Sequence, residues 1–172
     1  MPNIKEIIKK FKWFFIVFLV LWTIVAIFFI FFIFNQPKYD YENLTEQQII
    51  EGVGSCRMIS SSFEYGGNST GAGAYTRYDY DHIRLSFKKM TGSTTFMATN
   101  IKSGQMMKFY IESKFVGDNV KLVLIYPNSE ITYLDVNKND MIEIEGDVPG
   151  LYIFRLIAWD DEQGEIAITR VP

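Results

Sequence analysis

From Trp13 to Phe34 the chain runs for 22 residues without a charge, and Thr23 is the only hydroxyl among them. No other feature limits the fold as strongly. At about 1.5 Å of rise per residue, a helix of this length reaches roughly 33 Å, enough to cross the ~30 Å hydrocarbon layer of a bilayer. A helix pairs its own backbone polar groups, so it is the form such a stretch takes in lipid. Soluble cores rarely need a helix that is apolar on every face. The run therefore reads as a membrane anchor, with Trp13, Trp22 and Phe34 among its aromatic residues.

A cleaved signal peptide is the main competing reading. Its apolar region spans about 7–15 residues and ends in small residues before the cut. Here the run is longer and leaves through Phe-Ile-Phe-Asn-Gln-Pro-Lys, so an uncleaved single-pass anchor is expected. Val53-Gly54-Ser55-Cys56 has the form of a bacterial lipobox. A lipobox directly follows its apolar run, whereas here polar and mixed residues intervene, and lipidation of Cys56 is not expected.

Charge sets the expected orientation. The first twelve residues hold Lys5, Lys9, Lys10 and Lys12 against Glu6, while the remainder is acidic enough to bring the whole chain to −3. Lysine-rich flanks stay in the cytoplasm, so residues 1–12 are read as a cytoplasmic flank, 13–34 as the span and 35–172 as extracytoplasmic. Ile4, Ile7, Ile8 and Phe11 share one helical face, and the four lysines can meet anionic lipid headgroups. The acidic outer part argues against nucleic acid as a partner. A single cysteine leaves the chain without a disulfide staple. That absence points to a bacterial cell surface rather than a eukaryotic secreted domain.

Beyond the span, residues 35–81 read as a linker with a short helix over about 45–52. Thr45 is placed to cap it, Gln48 to reach back, Leu44 to staple onto Ile49, and Gly52 and Gly54 to end it. The rest of this stretch is rich in Gly, Ser and Tyr, with Tyr75, Tyr78 and Tyr80 at its end. No Gly-Lys-Ser/Thr follows the glycines, so they do not form a phosphate-cradling loop.

From His82 to Pro172 the spacing is that of an all-β domain. Ile83, Leu85 and Phe87 alternate with Arg84, Ser86 and Lys88, and further strands are expected over 95–101, 106–115, 120–126, 130–136, 141–145, 151–159 and 165–171. Most boundaries hold turn residues, among them Thr91-Gly92 and Gly117-Asp118-Asn119. In Asp147-Val148-Pro149-Gly150, Pro149 and Gly150 suit the first and second central places of a type II turn. About eight short strands without intervening helices predict an antiparallel, jelly-roll-like β-sandwich. Tyr126-Pro127, then Pro149-Gly150-Leu151-Tyr152 opening a strand, then Gly164 before the last strand, resembles small extracytoplasmic modules of the Golgi-dynamics and bacterial pre-peptidase C-terminal types. The resemblance implies a recognition or accessory role and carries over no site residues.

Catalytic chemistry finds little support. His82 is the only histidine and Cys56 the only cysteine, so a hydrolase triad and the usual zinc spacings both lack members. Asp135, Asn137, Asn139 and Ile142 match places in a calcium-binding EF-hand loop. However, Asp140 stands where glycine is needed, and Gly146 where the bidentate glutamate is needed. Asp160-Asp161-Glu162 is expected to be a solvated hairpin. No metal, cofactor or enzymatic activity is expected.

Two strands fail to alternate. Leu122 to Tyr126 is continuously apolar, and Leu151 to Trp159 is interrupted only by Arg155. With Tyr152, Phe154, Leu156 and Ala158 inward, a second apolar face remains: Val123, Ile125, Leu151, Ile153, Arg155, Ile157 and Trp159. A face of that kind calls for a cover, supplied either by a partner or by the chain's own 45–52 helix or tyrosine segment. The expected role is thus a membrane-tethered accessory subunit, binding the bilayer and a membrane or surface protein or a second copy of itself. An envelope carbohydrate-binding module and a surface-exclusion or immunity protein share this layout and stay open as alternatives.

Overall fold

The computed structural model describes residues 4–34, 38–54, 56–66 and 81–172. The tyrosines at 75, 78 and 80 lie outside the described residues. The chain divides into two units, Met1–Lys38 and Tyr39–Pro172. In the first, helix α1 (Ile4–Phe34) joins the basic flank and the apolar run without a break. Its stretch Phe11–Phe31 is long and apolar enough to cross a membrane. Every side chain of that stretch is exposed apart from half-buried Ala26. Thr23 donates to Leu19 O at 2.7 Å, so its hydroxyl is satisfied within the helix.

The second unit is all-β apart from α2 (Glu46–Glu51). The helix starts where a reciprocal cap can form. Gln48 N donates to Thr45 Oγ1 at 3.3 Å, and Thr45 N donates to Gln48 Oε1 at 2.9 Å. It stops at Gly52, whose φ of 71° returns its N–H to the Gln48 and Ile49 carbonyls.

Eight antiparallel strands follow: β1 (Arg57–Ile59), β2 (Ser62–Gly66), β3 (His82–Ile101), β4 (Met106–Phe115), β5 (Val120–Ile125), β6 (Ile131–Leu134), β7 (Asp140–Glu145) and β8 (Gly150–Val171). The count of eight arises differently from the sequence reading. The stretches expected as strand pairs 82–88 with 95–101, and 151–159 with 165–171, are each one long strand. Thr91-Gly92 and Asp160–Gly164 are irregularities inside β3 and β8 rather than hairpin turns. Gly92 at φ 132°, and Asp160 and Asp161 at 54° and 56°, bend the strands without releasing them from the ladder. β1 and β2 come from the stretch read as linker, pairing with β3 at 89–91 and 82–86. Gly150 has φ 147° rather than the ~80° of a type II turn, and a Cβ there would lie 2.9 Å from Pro127 Cβ.

β3 and β8 run side by side from His82↔Thr169 to Ile101↔Gly150, with register shifts between Phe87 and Met97. On one side of this bend β8 pairs with β4, which pairs with β7. On the other side it pairs with β5, which pairs with β6. The β4 arm contributes Ile83, Leu85, Phe109, Ile111, Ile166 and Ile168 to one core, and the β5 arm contributes Leu122, Leu124, Tyr152, Phe154 and Leu156. Phe109 and Phe154 meet edge to face at 5.2 Å across that core. Each such side chain contributes about 1.5–3 kcal/mol through burial. The bend is itself clamped: buried Glu162 accepts from Gly117 N at 2.8 Å, and from Asn119 N and Gln163 N at 3.1 Å.

Candidate functional site

The outer face of the β5 arm holds the residues singled out for partner binding. Val123 and Ile125 turn outward while Leu122 and Leu124 enter the core. Leu151, Ile153, Arg155, Ile157 and Trp159 likewise alternate with core residues along β8. The face is not open. Val123 and Ile157 are 0% exposed, Ile125 4% and Arg155 7%. Ile49 of α2 is buried on them, with Tyr41, Leu44, Ile50 and Ile131 packed around. The cover is the chain's own helix α2. Leu151, Ile153 and Trp159 remain half-buried at the rim.

Arg155 explains why the helix docks there. Its Nη1 donates to Ile49 O and, at 3.2 Å, to Ile50 O; its Nη2 donates to Thr95 Oγ1 at 3.2 Å. The last carbonyls of a helix lack partners within it and carry partial negative charge. A guanidinium beneath them supplies both donors and charge. Burial pushes the Arg155 pKa down from its usual value. Gly52 suits this point by its φ of 71°, and it also leaves room for the guanidinium, since a Cβ would sit 2.5 Å from Arg155 Nη1. Nearby, Lys121 Nζ donates to Glu42 O at 2.5 Å and lies 5.1 Å from the centre of the Trp159 ring.

The other groups with chemical potential are engaged in the fold. His82 Nδ1 lies 2.7 Å from Thr169 Oγ1, its partner across the ladder. Half-buried Cys56 has its thiol pushed up to about 11 by burial, which disfavours the nucleophilic thiolate. Asp161 accepts from Lys89 Nζ at 3.0 Å, and this bond holds its carboxyl below the usual range. Together with Glu162 turned inward, this separates the three acids of 160–162 that the sequence places in one solvated turn. In the EF-like stretch, Lys138 Nζ sits 3.8 Å from Asp135 and 3.4 Å from Asp140. Among the described residues no group of three His, Cys, Asp or Glu could hold a metal ion.

A cleft of about 390 Å³ opens at the bend. Strands are interrupted at four places at that level. β1 gives way to β2 at Ser60-Ser61, β3 shifts register after Phe87, β8 is irregular from Asp160 to Gln163, and β4 ends at Phe115. Phe87 and Phe115, 6.2 Å apart, lie along the cleft, and Lys88, Lys114, Ser60 and Gln163 border it. Gly164 admits the Phe115 ring, because a Cβ there would lie 2.2 Å from Phe115 Cδ1. Glu165 also reaches the cleft, but its carboxylate is held by Arg84 Nη1 and by Ser86 Oγ at 3.1 Å. Sequence reasoning missed this cleft. Only Gly164 carried a local signal, and the coincidence of four interruptions is not local.

No protein-family model and no curated protein sequence matches the chain. Among solved structures, a periplasmic inhibitor of g-type lysozyme from Aeromonas hydrophila is 8% identical over 52% of this chain and 84% of its own, with a TM-score of 0.30. A glycosylation-associated protein complex from Streptococcus agalactiae is 15% identical over 78% of this chain, with a TM-score of 0.34; the match spans 29% of that chain. Accessory secretory proteins 1, 2 and 3 of Streptococcus pneumoniae give 14% identity over 64% of this chain and 95% of that chain, with a TM-score of 0.31.

Proposed function

We propose that the chain is a membrane-anchored, extracytoplasmic accessory subunit that works by binding a partner protein rather than by catalysis. The supporting observation is how its reactive side chains are used. His82 is tied to Thr169, Glu162 to three backbone N–H groups, Asp161 to Lys89, and Cys56 is held as a thiol. The described β unit thus spends its polar chemistry on holding a shape, as a binding module does. The exposed helix Phe11–Phe31 supplies the anchor, and the basic flank before it keeps the N-terminus in the cytoplasm.

Two measurements test this reading. A cysteine at exposed Ser129, in a Cys56→Ser background, reacts with a membrane-impermeant maleimide on intact cells, and one at Asn3 does not; the opposite pattern reverses the orientation. A photocrosslinker placed at exposed Tyr133 or Met141 in the full-length chain gives one saturable protein adduct of fixed mass. Only diffuse or lipid adducts at every exposed position would overturn the partner reading.

A further inference from the structure

We infer that the cleft at the bend is a binding site for an anionic sugar, a polyol body carrying a phosphate or carboxylate. The inference rests on how charge is distributed in the β unit and goes beyond the partner-binding role. Most cations of the β4 arm and the bend are neutralised in place. Arg84, Lys89, Lys108, Lys138 and Arg170 each have a carboxylate within 4.0 Å. Lys88 and Lys114 have none among the described residues, although both border one cleft.

Lys114 stands opposite Glu165 across the ladder, the natural place for a pair. Glu165 instead turns to Arg84 and Ser86. The single carboxylate of the cleft is thereby drawn to Arg84, which Glu64 and Glu112 share, and two lysines without a carboxylate of their own among the described residues line the same space. Two unpaired cations on one concave surface raise the local concentration of anions, and a charged donor bonds an anionic oxygen about twice as strongly as a neutral one.

The remaining lining decides what carries the anion. Half-buried Phe115, backed by the buried Phe87 ring, gives the cleft an apolar surface, and Ser60 and Gln163 line it with neutral polar side chains. A hexose has this mixture of an apolar ring face and a hydroxyl rim, and a cleft of 390 Å³ is ample for one charged hexose unit. A bare inorganic anion would use the lysines and leave the Phe115 ring without a role.

The test is ligand-observed NMR and calorimetric titration of the detergent-solubilised full-length chain. The probes are glucuronate, glucose 1-phosphate, glucose and inorganic phosphate. Glucuronate or glucose 1-phosphate should bind with a Kd of about 1 mM or tighter. Glucose and phosphate should bind at least about tenfold more weakly, and added salt should weaken the charged probes. Lys88→Ser and Lys114→Ser should each lower affinity about tenfold with the melting temperature unchanged, since neither side chain has a carboxylate partner among the described residues. Lys102→Glu, in the β3–β4 turn, should leave affinity unchanged and so separates the cleft from net charge. The proposal falls if no probe binds, if glucose or inorganic phosphate binds as tightly as the charged sugars, or if the lysine substitutions leave binding intact. A Lys102→Glu loss equal to that of Lys114→Ser would overturn it too. None of these outcomes bears on the protein partner, which the crosslinking above tests separately.

Discussion

The outer faces of the two arms are built on the same pair of strands and end in opposite states. On the β4 arm, β3 and β8 present Arg84, Ser86, Glu165 and Thr169 outward, and Arg84 lies among Glu64, Glu112 and Glu165. That face alternates with the core and stays in water. On the β5 arm the same two strands present Thr95, Ile153, Arg155 and Ile157, joined by Val123 and Ile125 from β5, and this face lies beneath α2. The difference teaches that a lost alternation marks a cover, and that a lone charge within it marks where the cover is fastened. Arg84 is a cation among carboxylates at the surface; Arg155 is a buried cation whose partners are helix carbonyls and one hydroxyl.

Substitutions that attack this contrast should separate in size. Ile49→Asp sets a carboxylate on Val123, Ile125 and Ile157, and should cost about 3–5 kcal/mol of stability by denaturant titration of the full-length chain. An effect below about 1 kcal/mol would mean that α2 is not the cover. Glu162→Ala strips three backbone donors at the bend joining the arms, and about 2–3 kcal/mol should be lost. Thr45→Ala removes the cap of α2 and should cost about 1 kcal/mol, with faster hydrogen exchange over 46–51 as the local signature. Arg84→Ala, on the solvated face, should change stability by less than about 1 kcal/mol, and by less still at high salt. A reversed order for Arg84→Ala and Thr45→Ala would make the β4 arm the energetically critical face.

Much of this contrast is legible along the chain. The inward and outward residues of 122–125 and 151–159 follow from period-2 geometry, and the cap of α2 from Thr45, Gln48 and Gly52 standing in their places. What fills the space above the apolar face is not written locally: α2 and a foreign partner satisfy the same pattern, and the choice depends on contacts between residues about a hundred positions apart, Ile49 and Arg155 among them. The continuity of β3 and β8 is hidden for a related reason. Gly92 and the Asp160–Asp161 pair look like turn residues, and their left-handed backbone serves a bulge as readily as a hairpin. β1 and β2 are only three and five residues long, and Ile59, Phe63 and Tyr65 stay exposed in them, so their place in the ladder comes from pairing with β3 rather than from a buried face of their own. The charged cleft is the least legible feature, because it needs Lys88, Lys114 and Gly164 to be brought together from three strands.

The central claim is that α2 seals the outer face of the β5 arm, and one labelling experiment tests it most directly. Val123 and Tyr133 are cross-strand partners on that face, one fully buried and the other 53% exposed. In a Cys56→Ser background, each is replaced by cysteine in the solubilised full-length chain and exposed to a maleimide under native conditions. With the helix docked, Tyr133→Cys labels rapidly, while Val123→Cys labels only as fast as the helix opens, and adding Ile49→Asp brings the two rates together. Equal rates for the two cysteines with Ile49 intact would contradict the account, because the face would then be open to a partner.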